Sequence, residues 1–177
     1  MNYISFFSFG YFPEFQYEVD GIYLKKRIIM PQTENSVVVS YSVLNTLRNE
    51  IELKIKPLVN IRHIYTVTGK DRGKNFYQQK VNGRILSLTI NDFPFTLYLY
   101  SSEGEYLTHY GERWLRNVLY RVDRDRGESF LDNYFQPGAY RLKINPGEEK
   151  SFVVAAILAR GDQASECEKR VRELGKR

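Results

Sequence analysis

Acidic and basic side chains crowd one stretch of the sequence, and that is where chemistry is first to be sought. Between Gly111 and Pro137 stand Glu112, Asp123, Asp125, Glu128 and Asp132, interleaved with Arg113, Arg116, Arg121, Arg124 and Arg126. Glycoside hydrolysis needs two carboxylates about 5–10 Å apart, one of them kept protonated by its surroundings. If a strand runs from Trp114 through Val122 and beyond, alternation puts Asp123 and Asp125 on one face. The interleaved arginines favour a plainer account, a ladder of exposed ion pairs each worth little.

Other catalytic constellations are thinly represented. A nucleophilic triad needs a Ser or Cys held by a His that an acid orients, and the chain has two histidines and one cysteine, Cys167. His63 falls in Arg62-His63-Ile64-Tyr65 at a strand end, where a structural hydrogen bond is the preferred reading; His109, between Thr108 and Tyr110, reads as a strand-face residue. This set gives no metal-ligand spacing, so neither metal nor cofactor is expected. Gly69-Lys70-Asp71-Arg72-Gly73 lacks the spacing and following helix of a phosphate loop. The abundance of aromatics is more suggestive, because sugars stack their C–H faces on rings while amides, acids and guanidinium groups bind hydroxyls. Trp114, Asn117 and Tyr120 offer both functions.

These residues must be positioned by strands. Aromatics make up 15% of the 177 residues, with 14 Tyr and 11 Phe, a bias suited to a pleated, half-buried surface. Strands are expected at Tyr3–Phe9, Phe15–Val19, Ile22–Met30, Ser36–Val43, Ile51–Asn60, Phe76–Val81, Ile85–Ile90, Phe95–Ser101, Tyr106–Tyr110, Trp114–Val122, Ala139–Ile144 and Phe152–Leu158. Asp20-Gly21, Asn82-Gly83 and Pro146-Gly147 read as hairpin turns. From Ala164 the apolar residues Ala164, Cys167, Val171 and Leu174 mark one helical face, with Asp162 as N-cap. The expected fold is all-β, an antiparallel β-sandwich with one C-terminal helix, divided into residues 1–160 and a helix over 161–177 that serves as clasp or linker.

With 26 basic and 21 acidic residues the net charge is +5, too dispersed for a nucleic-acid footprint. No apolar run is long enough for a membrane helix, and no signal peptide is evident. With a single cysteine, these features favour a cytoplasmic protein.

Three segments read together resemble a known family. Asp20–Val43 (DGIYLKKRIIMPQTENSVVVSYSV), Glu52–Thr68 (ELKIKPLVNIRHIYTVT) and Arg124–Glu148 (RDRGESFLDNYFQPGAYRLKINPGE) are similar, in order and spacing, to the N-terminal domain of prokaryotic and archaeal glycogen debranching enzymes of the amylo-α-1,6-glucosidase type. The resemblance implies a supersandwich attached to an (α/α)6 barrel that carries the catalytic acids; no such barrel is present here. It also implies earlier strands, so that Met1 falls inside the expected sandwich. Where the family reads Arg-Asp-Tyr-His, this chain reads Arg62-His63-Ile64-Tyr65.

The function expected is therefore α-glucan recognition or structural support of a separate catalytic unit, without hydrolysis by this chain. Partners would be glycogen or a maltooligosaccharide, a catalytic-barrel subunit or a second copy, with neither nucleic acid nor membrane. Arg62, His63, Trp114, Asn117, Arg126 and Asp132 are the expected carbohydrate contacts, and no catalytic residue is assigned. The alternatives are a structural sandwich module completed by self-association and a small independent glycosidase using acids between Glu112 and Asp132.

Overall fold

The structure, a computed structural model, describes residues 3–63, 65–69, 77–91, 93–108, 114–160 and 164–174. Thirteen strands and two helices follow one another within them: β1 Ile4–Phe9, β2 Pro13–Val19, β3 Ile22–Ile29, β4 Ser36–Asn45, β5 Ile51–Ile55, β6 Tyr77–Asn82, β7 Ile85–Ile90, β8 Phe95–Ser101, β9 Glu105–Thr108, β10 Trp114–Leu119, α1 Arg121–Asp125, β11 Leu131–Phe135, β12 Gly138–Ile144, β13 Glu149–Arg160 and α2 Ala164–Leu174. His109, Asp162, Glu112 and most of the Gly69–Gly73 loop lie outside the described residues.

Eight strands form one antiparallel sheet in the order β1-β2-β3-β4-β13-β8-β7-β6, faced by a three-stranded sheet β5-β12-β9 and a two-stranded ribbon β10-β11. The architecture is an open sandwich. β13 lies at the centre of the large sheet and is buried on both faces, which accounts for its nearly unbroken apolar run, Phe152–Ala159. Its alternate residues serve two layers. Phe152 and Val154 meet Tyr140, Leu142 and Ile144 of β12 beneath the small sheet. Ala155, Ile157 and Ala159 face the other way and pack with Cys167, Val171 and Leu174 of α2. The helix is tied further by Arg170 Nε, 3.1 Å from both carboxylate oxygens of Glu34. No helix among the described residues is long and apolar enough to cross a membrane.

Two expectations need correction. β12 and β13 are not a hairpin: β12 pairs with β5 and β9, whereas β13 pairs with β4 and β8. The Pro146-Gly147 turn is a crossing between layers, and Asn45 holds it. The buried Asn45 side chain donates to the carbonyls of Asn49, Ile144 and Asn145 and accepts from the Leu47 N–H, while its backbone N–H bonds the Glu148 carbonyl.

The second correction concerns the charged segment. The expected strand from Trp114 stops at Leu119, and Arg121–Asp125 forms the short helix α1. Asp123 and Asp125 therefore do not share a strand face. The break follows from the chain turning back: the Tyr120 N–H donates to the Phe130 carbonyl, and β11, which the alternation pattern did not show, then pairs with β10.

Candidate functional site

Two of the expected site residues, Arg62 and Asp132, meet at β11. Leu131-Asp132-Asn133-Tyr134-Phe135 places two adjacent polar side chains in a short strand, and adjacent residues point to opposite faces. Both are buried, so each must find partners within the protein.

Asp132 finds five. One carboxylate oxygen, Oδ1, accepts the backbone N–H groups of Thr68 and Asn133, each at 2.8 Å. The other, Oδ2, accepts Asn60 Nδ2 at 2.8 Å, Arg62 Nε at 2.9 Å and the Tyr120 hydroxyl at 3.0 Å. Tyr134 then supplies its hydroxyl to Tyr120 at 2.5 Å. Asn133 ties down the same loop from its other side, donating Nδ2 to the Thr68 carbonyl at 2.6 Å and accepting the Asn117 N–H at 3.1 Å. The loop closes on itself through Thr68 Oγ1, which donates to Asn60 Oδ1 at 2.6 Å, and through Arg62 Nη1, which donates to the His63 carbonyl at 3.0 Å.

The electrostatics follow from these bonds. Burial pushes the Asp132 carboxyl pKa up, but hydrogen bonds from Thr68, Asn133, Asn60 and Tyr120 outweigh it and hold the pKa below the usual carboxylate range. Burial acts to lower the pKa of Arg62, yet Tyr120 and Asp132 raise it above its ordinary value. Tyr120 is pushed up to about 12, by burial first and then by Tyr134.

A carboxylate offers roughly four acceptor positions, and five donors leave none for a substrate. Nor is its pKa raised, as a general acid acting near neutral pH requires. Asp132 is a structural anchor holding a loop to a strand. Arg62 belongs to the same knot, its side chain 17% exposed.

The other expected residues are dispersed around it. His63 is exposed beside Tyr65, with ring centroids 5.5 Å apart, and Tyr65 is 87% exposed. Trp114 packs against Tyr77 and Phe135 at 5.9 and 5.4 Å between centroids, so its indole is engaged by the core. Asn117 has φ of 59° at the register shift between Leu115 and Val118, a left-handed position that Asn tolerates better than most residues. Its side chain is exposed, as is Arg126, the residue that ends α1. The expected ladder of ion pairs in this segment reduces, among the described residues, to an exposed Arg124–Asp125 pair at 3.3 Å and the buried link from Asp132 to Arg62. Asn60, Thr68, Asn133 and Tyr134 were not anticipated, although the Asp-Asn pair in a short apolar strand is the signal that points to them.

The comparisons with known proteins bear on this knot, because two of the segments carrying it, Glu52–Thr68 and Arg124–Glu148, fall inside the region matched. Residues 1–151 match the family described as Glycogen debranching enzyme N terminal. The chain belongs to this family. Among solved structures it is similar to a polysaccharide lyase, at 14% identity and TM-score 0.47, over 91% of this chain and 23% of that one. It is also similar to a putative kojibiose phosphorylase from the human microbiome, at 11% identity and TM-score 0.49, over 94% of this chain and 21% of that one. The chain thus spans under a quarter of the length of either structure. No curated protein matches it.

Proposed function

We propose that this debranching-enzyme N-terminal domain is a non-catalytic companion domain, one that handles α-glucan beside a separate (α/α)6 catalytic unit. The observation that carries this reading is the family match over residues 1–151, taken with a buried acid whose every acceptor position is used within the fold. In that reading, Asp132 and Arg62 build the loop 60–68, and the sugar meets what the loop displays. His63 and Tyr65 stand exposed on a loop fixed at Asn60, Arg62 and Thr68, so little ordering entropy is lost on binding. A tyrosine ring stacks on the apolar face of a glucose unit, and an imidazole bonds its hydroxyls.

Titration calorimetry with maltoheptaose tests this directly. The expected result is weak binding heat at millimolar ligand, abolished by Tyr65→Ala while the melting temperature is unchanged. A folded protein that gives no heat removes the sugar-contact role. Glucose release from a branched limit dextrin by this chain alone would overturn the non-catalytic role.

Support of a catalytic unit has its own favouring observation. Leu119 and Leu131, opposite one another on the ribbon β10-β11, are both exposed large apolar residues. Grouped apolar exposure of this kind suits protein docking better than carbohydrate.

A further inference from the structure

The large sheet ends in two edges of opposite character. β6, at one end, reads Tyr-Gln-Gln-Lys-Val-Asn, with Lys80 exposed. Polar and charged residues of this kind discourage pairing with another chain. β1, at the other end, carries no charge. No residue from Tyr3 to Pro13 carries a charge, and β1 pairs with β2 alone, so its outer row of backbone donors and acceptors faces no strand among the described residues. Apolar groups project from both of its faces. Phe7 lies opposite Phe15, on the core side of the sheet, and Phe6 lies opposite Gln16, on the other side.

We propose that β1 is an interaction edge through which two copies of this chain pair, antiparallel, about a two-fold axis. Three observations specify a second copy. The first is area: Phe6 is 52% exposed, Phe7 51%, Phe9 78% and Tyr11 fully, with Tyr3, Ile4 and Phe12 close to half exposed. At about 200 Å² for a fully exposed aromatic side chain this amounts to roughly 800 Å² of apolar surface exposed per copy, of which pairing along β1 covers the part that lies beside the shared edge.

The second is charge. A two-fold axis sets the residue on the axis opposite itself, so a charged edge would repel its own copy; this edge is uncharged throughout. The third is the aromatic row. An axis perpendicular to the sheet brings residues of the same face together. Passing at Phe7, it extends the Phe7–Phe15 ring contact of 4.8 Å into a row of four rings, Phe15 and Phe7 from each copy, an arrangement that favours cross-strand pairing. The inference is independent of the sugar reading, and either can fail alone.

Sedimentation equilibrium across the micromolar range tests it, paired with hydrogen exchange on the same samples. The expected result is a reversible dimer, with amides from Ile4 to Phe9 gaining protection as concentration rises. Phe7→Lys and, on the other face, Phe6→Lys should each raise the dissociation constant roughly tenfold or more, while Val81→Lys on the far edge leaves it unchanged. A monomer at every concentration overturns the proposal. So does a dimer indifferent to both β1 substitutions, or one whose added protection lies outside β1. If Phe7→Lys does not fold, Phe6→Lys and the exchange pattern of the unaltered chain decide.

Discussion

Replacing Asp132 by asparagine isolates what its charge and its acceptor pattern contribute. The substitution nearly conserves shape but turns one acceptor into an N–H₂ donor. If the amide keeps its oxygen toward the Thr68 and Asn133 N–H groups, its nitrogen meets Asn60 Nδ2 and Arg62 Nε at 2.8 and 2.9 Å, donor against donor. The flipped amide sets its nitrogen against the two backbone N–H groups instead. Neither orientation satisfies the site. Removing one partner of a buried ion pair costs about 3–5 kcal/mol. Because the Arg62 side chain is 17% exposed while that of Asp132 is fully buried, part of the orphaned charge is solvated, and the low end, about 3 kcal/mol, applies.

For a chain of 177 residues that corresponds to a fall in melting temperature of about 6–12 °C. Thermal and urea unfolding at pH 7 read it, with an unchanged urea slope showing that the unfolded state is unaffected. The pH dependence is a second check. Folding lowers the Asp132 pKa, so below the ordinary carboxylate value of about 3.9 the unfolded state binds the proton more readily. The contribution is therefore complete above that value and fades as pH falls toward the lower folded value. The gap between Asp132→Asn and the unaltered protein should close over that acid window. A loss under about 0.5 kcal/mol at pH 7, the range of an ordinary surface change, would refute the reasoning.

Asn45→Ala should cost about 1–3 kcal/mol by leaving the buried Ile144 carbonyl, and the partly buried bonds to the Asn49 and Asn145 carbonyls, without their donor, seen as a lower urea midpoint. Gly138→Ala should lower the melting temperature steeply or prevent folding, because a Cβ there runs into the Leu107 carbonyl and lies 2.6 Å from the Tyr106 hydroxyl. Leu174→Ala, at a residue 3% exposed beneath α2, should cost about 2–4 kcal/mol by opening a cavity against β13 and β8; a loss below 1 kcal/mol would mean that the helix contributes little to the fold.

How much of this was legible in the sequence varies with the range of the interaction. Ile85–Ile90 and Phe95–Ser101 were read with their observed bounds because alternation and the Asn82-Gly83 turn are local signals. The helix from Ala164 was read because its 3-4-3 apolar spacing is equally local. Pairing was not legible where it depended on distant residues. Pro146-Gly147 looks like any hairpin turn, and only Asn45, a hundred residues away, reveals that it joins two layers. The site shows the same division. Arg62 and Asp132 were singled out as polar groups near aromatics, but that they bond each other, 70 residues apart, is a fact of the tertiary fold. Treating Asp132 as one of a series of exposed acids missed the significance of its neighbour Asn133.

The position of the Asp132 knot bears on function more than its strength does. β5 ends in the small sheet and β6 opens in the large one, so the chain between them must pass from layer to layer. Val59 pairs with Phe135 through both backbone bonds, at 2.8 Å each, and Asp132, three residues earlier on the same strand, takes hold of Asn60, Arg62 and Thr68. The described part of that crossing is thereby attached at four points to one strand. Between the attachments at Arg62 and Thr68, His63 and Tyr65 are exposed, the Tyr65 N–H set 3.4 Å from His63 Nδ1. A buried acid saturated by protein donors, with exposed rings borne on the segment it fixes, is the relation of a supporting shell to a contact surface in the α-glucan reading proposed above. In the proposed reading the acid that first suggested hydrolysis instead fixes the segment that bears the sugar contacts.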